Sequence, residues 1–148
     1  MLSLSRKSGC FGGYVNRFTR SNVVEAYDHI LDEWVEMPSM INARSNHSQV
    51  ATRNKLYIVG RESCEMFDSD KQRFVLINKP IRSFSSLFRS FEAISIGNKI
   101  VVYHYKAQTC SFYDIKKDEW SEEDFELTKN LSHFSCVKVP QFITYQKH

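Results

Sequence analysis

The chain has 148 residues and a formal net charge of +3, from 20 Lys and Arg against 17 Asp and Glu. Hydrophobic residues make up 42% and aromatic residues 14%, whereas Gly and Pro number only 5 and 3. This composition excludes a disordered or collagen-like chain. So small a charge excess, spread over both signs, gives no reason to expect nucleic acid as a partner. The apolar runs are far shorter than the roughly 20 residues that cross a bilayer, so no membrane association is expected.

The four cysteines, Cys10, Cys64, Cys110 and Cys136, are far apart in the sequence. This spacing excludes a CxxC zinc or redox motif. Residues 1–13 lack the apolar core of a signal peptide, so we expect reduced, mostly buried thiols and a cytoplasmic protein. The histidines do not fall in a metal-binding spacing. We therefore expect neither a metal nor a cofactor.

One spacing pattern recurs three times along the chain. An aromatic-Asp pair is followed, after five residues, by a second large aromatic residue. The copies are Tyr27-Asp28 with Trp34, Phe67-Asp68 with Phe74, and Tyr113-Asp114 with Trp120. Successive copies are offset by 40 and 46 residues, which indicates a structural repeat.

Each copy of the pattern predicts two strands joined by a turn. Polar and apolar residues alternate before each aromatic-Asp pair, as in a half-buried strand. Turn-forming and charged residues follow, and an Asp suits this place because its carboxylate accepts hydrogen bonds from backbone N–H groups just ahead. The second aromatic residue then opens another strand.

Two further strands are predicted between the copies, at 48–51 and 55–60 and again at 91–96 and 99–103. The continuous apolar runs 56–59 and 100–103 predict strands buried on both faces. Gly97-Asn98 suits a type I′ hairpin turn, in which both residues have positive φ.

Four antiparallel strands in a repeat of this length are typical of one blade of a β-propeller. The sequence therefore predicts an all-β fold, with repeats near 10–40, 46–77 and 89–123. The alternation at 133–139 predicts a final strand, in which Cys136 follows Trp120 by 16 residues just as Val50 follows Trp34. For residues 121–131, which precede this strand, a helical turn is the alternative prediction.

These motifs resemble the kelch repeats of the BTB-kelch (kelch-like) proteins. In that family a blade carries a double glycine, then a Tyr-Asp, then a Trp. Here the first copy keeps Gly12-Gly13-Tyr14, residues 24–28, Trp34, Met37-Pro38 and Met40. The later copies depart from this family pattern. Gly60-Arg61 and His104-Tyr105 stand in place of the double glycine, and Phe74 stands in place of the Trp in the second copy.

The repeat positions are expected to serve packing rather than chemistry. Glycine permits positive φ and close approach of backbones, and large rings fill the space between neighbouring blades. The residues in this structural role are Gly12, Gly13, Tyr27, Asp28, Trp34, Gly60, Phe67, Asp68, Phe74, Tyr113, Asp114 and Trp120.

The resemblance implies that the strand at 133–139 closes a ring by completing a first blade. The chain supplies about two and a half blades plus that strand, and a closed propeller needs about four blades or more. We therefore expect a partial propeller, the C-terminal part of a longer one, with Met1 an artificial or alternative start. Such a piece would have exposed sheet edges and be marginally stable or self-associating. Strong amide-hydrogen protection throughout a monomer would contradict that expectation.

The function expected from the resemblance is protein binding by loops at one end of the ring. On this chain the loops are 14–22, 40–46, 61–63, 81–90 and 105–108. Their arginines and exposed aromatic residues suit an acidic or polar peptide segment, because Arg binds carboxylates in a bidentate manner. The candidate residues are Tyr14, Arg17, Arg20, Arg44, Asn46, Arg61, Arg82, Phe84, Arg89, Tyr105 and Lys106. The alternative is that these arginines solvate the loops or, as for Arg44, hold blades together.

The sequence contains no recognisable catalytic motif, so we expect no enzyme. By resemblance, the chain is the substrate-recognition part of a cullin-RING ubiquitin ligase adaptor. Cullin would be recruited only through a BTB domain that these residues do not include. An actin-binding cytoskeletal role and a non-functional truncated fragment are the alternatives.

Overall fold

A computed structural model describes residues 7–52, 55–80, 91–104 and 109–124. These residues form eleven β-strands, and no helix is found among them. The strands are β1 (Lys7–Phe11), β2 (Val24–Asp28), β3 (Glu33–Met37), β4 (His47–Thr52), β5 (Lys55–Gly60), β6 (Cys64–Asp68), β7 (Arg73–Ile77), β8 (Phe91–Ile96), β9 (Lys99–His104), β10 (Thr109–Asp114) and β11 (Glu119–Asp124).

The strands form three antiparallel sheets in chain order. Sheet 1 contains β1 to β3, sheet 2 contains β4 to β7, and sheet 3 contains β8 to β11. Within each sheet, every strand pairs with its neighbour in sequence, so all the pairs are antiparallel. The prediction of an all-β partial propeller is confirmed. The strand predicted at 133–139 lies outside the described residues.

The register places the repeated aromatic residues opposite each other. Tyr27 pairs with Trp34, and the rings lie 5.5 Å apart between centroids. The corresponding distances are 5.2 Å for Phe67 and Phe74 and 5.0 Å for Tyr113 and Trp120. Such cross-strand pairs stabilise antiparallel strands.

The repeated aspartates form the turns between these strands. One carboxylate oxygen of Asp28 accepts hydrogen bonds from the N–H groups of Ile30 and Leu31, at 3.0 and 3.4 Å. Asp68 and Asp114 accept the equivalent pairs, at 3.1 and 3.1 Å and at 2.9 and 3.2 Å. These bonds satisfy N–H groups that the strand ladder leaves unpaired.

Two apolar clusters hold the sheets together. Strand β5 contributes to both, because its successive side chains point to opposite faces. Leu56 and Ile58 join the cluster between sheets 1 and 2, whereas Tyr57 and Val59 join the one between sheets 2 and 3. Sheet 2 is thus covered on both faces, as the continuous run at 56–59 predicts.

Two local expectations differ from the structure. Of the turn residues Gly97 and Asn98, only Gly97 has a positive φ, at 59°, so the turn is not of type I′. The helical alternative fails for residues 121–124, which pair with β10 as part of β11. Residues 125–131 lie outside the described part of the chain.

Candidate binding face

The strand order brings one set of loops to the same end of the sheets. The β1–β2, β3–β4 and β5–β6 connections alternate with the short turns at the other end, because neighbouring strands run antiparallel. We call the residues 14–22, 40–46 and 61–63 the loop face. It contains the described part of the loops that the sequence indicated.

Residues 14–20 form a small, internally bonded hairpin, which we call the finger. Tyr14 and Arg20 make an isolated β-bridge, and the Val15 N–H donates to the Thr19 carbonyl at 2.9 Å. The Asn16 side chain accepts hydrogen bonds from the N–H groups of Phe18 and Thr19, at 2.9 and 3.0 Å. The finger presents Phe18 with 92% of its surface exposed and Val15 with 72%.

The double glycine fixes the base of the finger. Gly12 and Gly13 have φ values of 57° and 98°, in the region that favours glycine. A Cβ on Gly12 would lie 2.6 Å from the Arg44 carbonyl oxygen. The same carbonyl accepts a hydrogen bond from the Gly13 N–H at 2.8 Å. Backbones approach here too closely for any other residue at position 12.

Arg20 connects the finger to the β5–β6 loop. Its guanidinium pairs with the Glu62 carboxylate at 3.1 Å, and this contact raises the pKa of Arg20. The proximity of Ser45, and then of Arg20, lowers the pKa of the exposed Tyr14 hydroxyl. Much of the charge of Arg20 is therefore engaged within the protein.

Arg44 belongs to a segment of the loop face, but its side chain is buried inside the protein. It is only 6% exposed, and its guanidinium pairs with Glu65, which is fully buried. It also donates to the Ser63 carbonyl and hydroxyl oxygens, both at 2.7 Å. The Glu65 carboxylate further accepts the N–H groups of Ile41 and Asn42, at 2.8 and 3.1 Å. Arg44 thus joins the β3–β4 connection to sheet 2.

The remaining candidates divide into two groups. Arg17, Asn46 and Arg61 are exposed on the loop face, and no ion pair of Arg17 or Arg61 is found among the described residues. Five other candidates lie outside the described residues, namely Arg82, Phe84, Arg89, Tyr105 and Lys106. Sequence reasoning missed Phe18 and Val15. Their signal is apolar character inside a short polar loop that follows a double glycine.

The described part of the chain offers no obvious site for other chemistry. No group of three or more His, Cys, Asp or Glu residues that could hold a metal ion is found there. Within the same residues there is no helix of the length and apolar character required to span a membrane. Cys10, Cys64 and Cys110 form no disulfide, and burial raises the pKa of Cys64 to about 11.

Comparison with known protein families gives one match. Residues 10–41, from β1 through the finger to the start of the β3–β4 connection, match the Kelch motif. No curated protein matches the chain. The motif supports a kelch-repeat protein, and kelch propellers in general act as protein-binding scaffolds rather than as enzymes.

Proposed function

We propose that this chain binds a partner protein at the loop face, by taking up an acidic segment that carries an apolar side. The observation that supports this proposal is the finger, which holds Phe18 almost fully exposed beside Arg17. A large apolar ring at the tip of an internally bonded loop has no packing role within the described structure. Aromatic and Arg side chains are the residues that most often dominate binding energy at protein interfaces.

The finger is suited to binding because its shape is already formed. Three backbone N–H groups within it, those of Val15, Phe18 and Thr19, are satisfied internally. A preformed loop loses less conformational entropy on binding than a flexible one. Arg17 on the finger and Arg61 on the neighbouring loop can bind carboxylates of the partner through bidentate hydrogen bonds. The Arg20–Glu62 pair keeps these two loops together.

The biological role that we propose is substrate recognition for a cullin-RING ubiquitin ligase. Its support is the resemblance of the first repeat to those of BTB-kelch proteins. The cullin would be engaged by a BTB domain outside these residues. We keep three further predicted contacts from the other loops that the sequence indicates, namely Arg82, Arg89 and Lys106. Actin binding is the competing role, and an acidic surface of actin would be its ligand.

The test uses a displayed peptide library with fixed Asp and Glu positions as the probe. Peptides selected on the 148-residue chain are measured by fluorescence polarisation against variants. Arg17→Glu with Arg61→Glu, and separately Phe18→Ala, should each weaken binding at least about tenfold, as for interface hot spots. The matched control is Lys116→Glu with Lys117→Glu, which makes the same charge change at the opposite end of the strands.

Two results would contradict the proposal. Affinity that is unchanged in the Arg17 and Arg61 variant, or equally reduced in the lysine control, would remove the loop face from consideration. Co-sedimentation with filamentous actin separates the two roles. Binding to actin that is lost in the same variant would favour the cytoskeletal role, whereas peptide binding without co-sedimentation would favour substrate recognition.

A further inference from the structure

One face of sheet 1 is not covered by another sheet among the described residues. Alternate side chains of β2 and β3 join the apolar cluster shared with sheet 2. The side chains between them point to the opposite face, because successive residues of a strand alternate. The register places them in two directly opposed pairs. We call this surface the outer face, and it consists of Glu25, Tyr27, Trp34 and Glu36.

The outer face carries negative charge next to an exposed aromatic ring. Glu25 and Glu36 are both exposed and lie directly opposite each other, and like charges in such a pair repel. No ion pair of either carboxylate is found among the described residues. Residues 24–37 contain five Asp and Glu and no Lys or Arg. Since Trp34 beside them is 54% exposed, the outer face suits a ligand that is both basic and apolar.

Sheet 2 shows what a face of this kind binds. Glu65 holds the repeat position of Glu25, two residues before the first aromatic residue of the motif. It pairs with the Arg44 guanidinium and accepts two backbone N–H groups from the same β3–β4 connection. Phe74 holds the position of Trp34 and is buried there. The outer face of sheet 1 thus has the groups to take an arginine together with an apolar side chain.

The finger of this same protein has the matching chemistry. Residues 14–20 contain two Arg and no Asp or Glu. Arg17 and Phe18 are both exposed, and Phe18 stands next to Arg17 in the sequence. The Arg20–Glu62 pair ties the finger to sheet 2, which packs on the opposite face of sheet 1. The finger is therefore held away from the outer face of its own chain, and only the finger of another copy is placed to reach it.

We propose that the finger of one copy of this chain docks on the outer face of a second copy. The Arg17 guanidinium then binds the Glu25 and Glu36 carboxylates, and the Phe18 ring packs against Trp34. This docking rests on the proposed function, since the outer face is an acidic surface with an apolar side of the kind that the loop face takes up. The two surfaces differ, so the contact is heterologous and further copies can add in the same way. Docking therefore competes with the binding of other partners.

The first experiment measures the average mass of the full chain by analytical ultracentrifugation. The mass should rise with concentration and fall when salt screens the exposed charges. The finger variant, Arg17→Glu, and the face variant, Glu25→Arg with Glu36→Arg, should each be monomeric. An equimolar mixture of the two should associate again, because both kinds of finger then meet a face of opposite charge. The control, Asp70→Arg with Glu119→Arg, makes the charge change of the face variant on sheets 2 and 3 and should associate like the wild type.

The second experiment observes the outer face directly. The Trp120→Phe variant keeps Trp34 as its single tryptophan. As the concentration rises, the Trp34 emission should shift to the blue and become less accessible to quenching by acrylamide. Adding Phe18→Ala should abolish both changes, because the ring that covers Trp34 is then missing.

Three results would overturn the docking. They are a wild-type chain that is monomeric at every concentration, association that persists in the finger or the face variant, and a mixture of the two folded variants that stays monomeric. The face variant also separates the two proposals, because its finger is unchanged. If it binds the selected peptides while the wild type never associates, the docking fails and the proposed function stands. If the mixture associates but no variant or wild-type chain binds peptide, the docking stands and the proposed function fails.

Discussion

The two junctions between sheets use the same apolar geometry but different polar chemistry. Sheets 1 and 2 are joined by the buried Arg44–Glu65 pair. In sheet 3 the position equivalent to Glu65 is Ser111, so that junction has no carboxylate there. Sheets 2 and 3 are joined instead by Asn78, whose N–H and side-chain amide donate to Asp118 at 3.1 and 2.7 Å.

The difference follows from single residues in otherwise equivalent positions. Pro38 stands in sheet 1 where Asn78 stands in sheet 2, and proline has no N–H to donate. The first junction therefore lacks the outer amide contact and has the inner ion pair. A buried ion pair gives little net stability but becomes costly when one member is lost. The repeat thus determines where the sheets meet. Individual residues determine which polar contact joins each pair of sheets, and therefore how much stability is lost when that contact is removed.

The largest effect is expected for Glu65→Ala. It leaves the buried Arg44 guanidinium without its counter-charge, which should lower the free energy of unfolding by about 3–5 kcal/mol. The control is Glu62→Ala, which removes the exposed partner of Arg20 and should cost under about 1 kcal/mol. Urea denaturation followed by circular dichroism measures both. Equal losses in the two variants would show that Arg44 is not held as described.

Apolar truncation should affect the two junctions alike. Ile58 and Ile100 are both fully buried, one in each cluster. Changing either to Ala should cost about 2–5 kcal/mol through lost burial and the cavity left behind. Chemical denaturation at matched concentration compares the two. A large cost at one position and a small one at the other would mean that one junction does not form in solution.

Removing a tyrosine hydroxyl should distinguish the junction of sheets 2 and 3 from the exposed face of sheet 1. Tyr113 donates to Asp118 at 2.7 Å beside Asn78, and burial followed by this contact raises its pKa far above the usual range. Tyr113→Phe should cost about 1–2 kcal/mol, since the acceptor is charged. Tyr27→Phe removes the exposed contact with Asp32 and should change stability by less than about 0.5 kcal/mol. Thermal unfolding of both variants provides the comparison.

The smallest expected effect is a pH dependence from sheet 3. Burial lowers the pKa of His104 below its ordinary 6.5, while Glu122 opposes the shift. The folded state thus binds this proton less readily than the unfolded state. The stabilising contribution is present above the unfolded pKa and is lost as pH falls below it. His104→Gln should flatten the dependence of stability on pH between 7.5 and 5 (roughly, around the reference pKa).

Much of the fold could be predicted because its signals are local. The alternation of side chains, the Asp turns and the paired rings of Tyr27 and Trp34 each depend on residues close in sequence. The continuous run at 56–59 also predicts burial on both faces, since a strand has only two faces to cover. The type of the turn at Gly97 could not be predicted in this way, because more than one turn type suits the same two residues.

Less of the loop face could be predicted from the sequence. Arg17 and Arg44 look alike in the sequence, as arginines in predicted loops. The structure exposes Arg17 and buries Arg44, because Glu65 from another sheet neutralises the second one. Phe18 is absent from the predicted contact residues. Its exposure follows from the hairpin bonds of Asn16, which turn the ring away from the sheets.

By itself, the sequence determined the strands, their grouping into repeats and the aromatic pairs that join neighbouring strands. These features depend on the period of side chains along the backbone and on turn residues a few positions apart. Only the tertiary structure decided how far equivalent residues are covered: Trp120 beside Asn78 is partly buried, whereas Trp34 is exposed. The physical reason is that burial depends on the neighbouring sheet, and among the described residues sheet 1 has such a neighbour on one face alone.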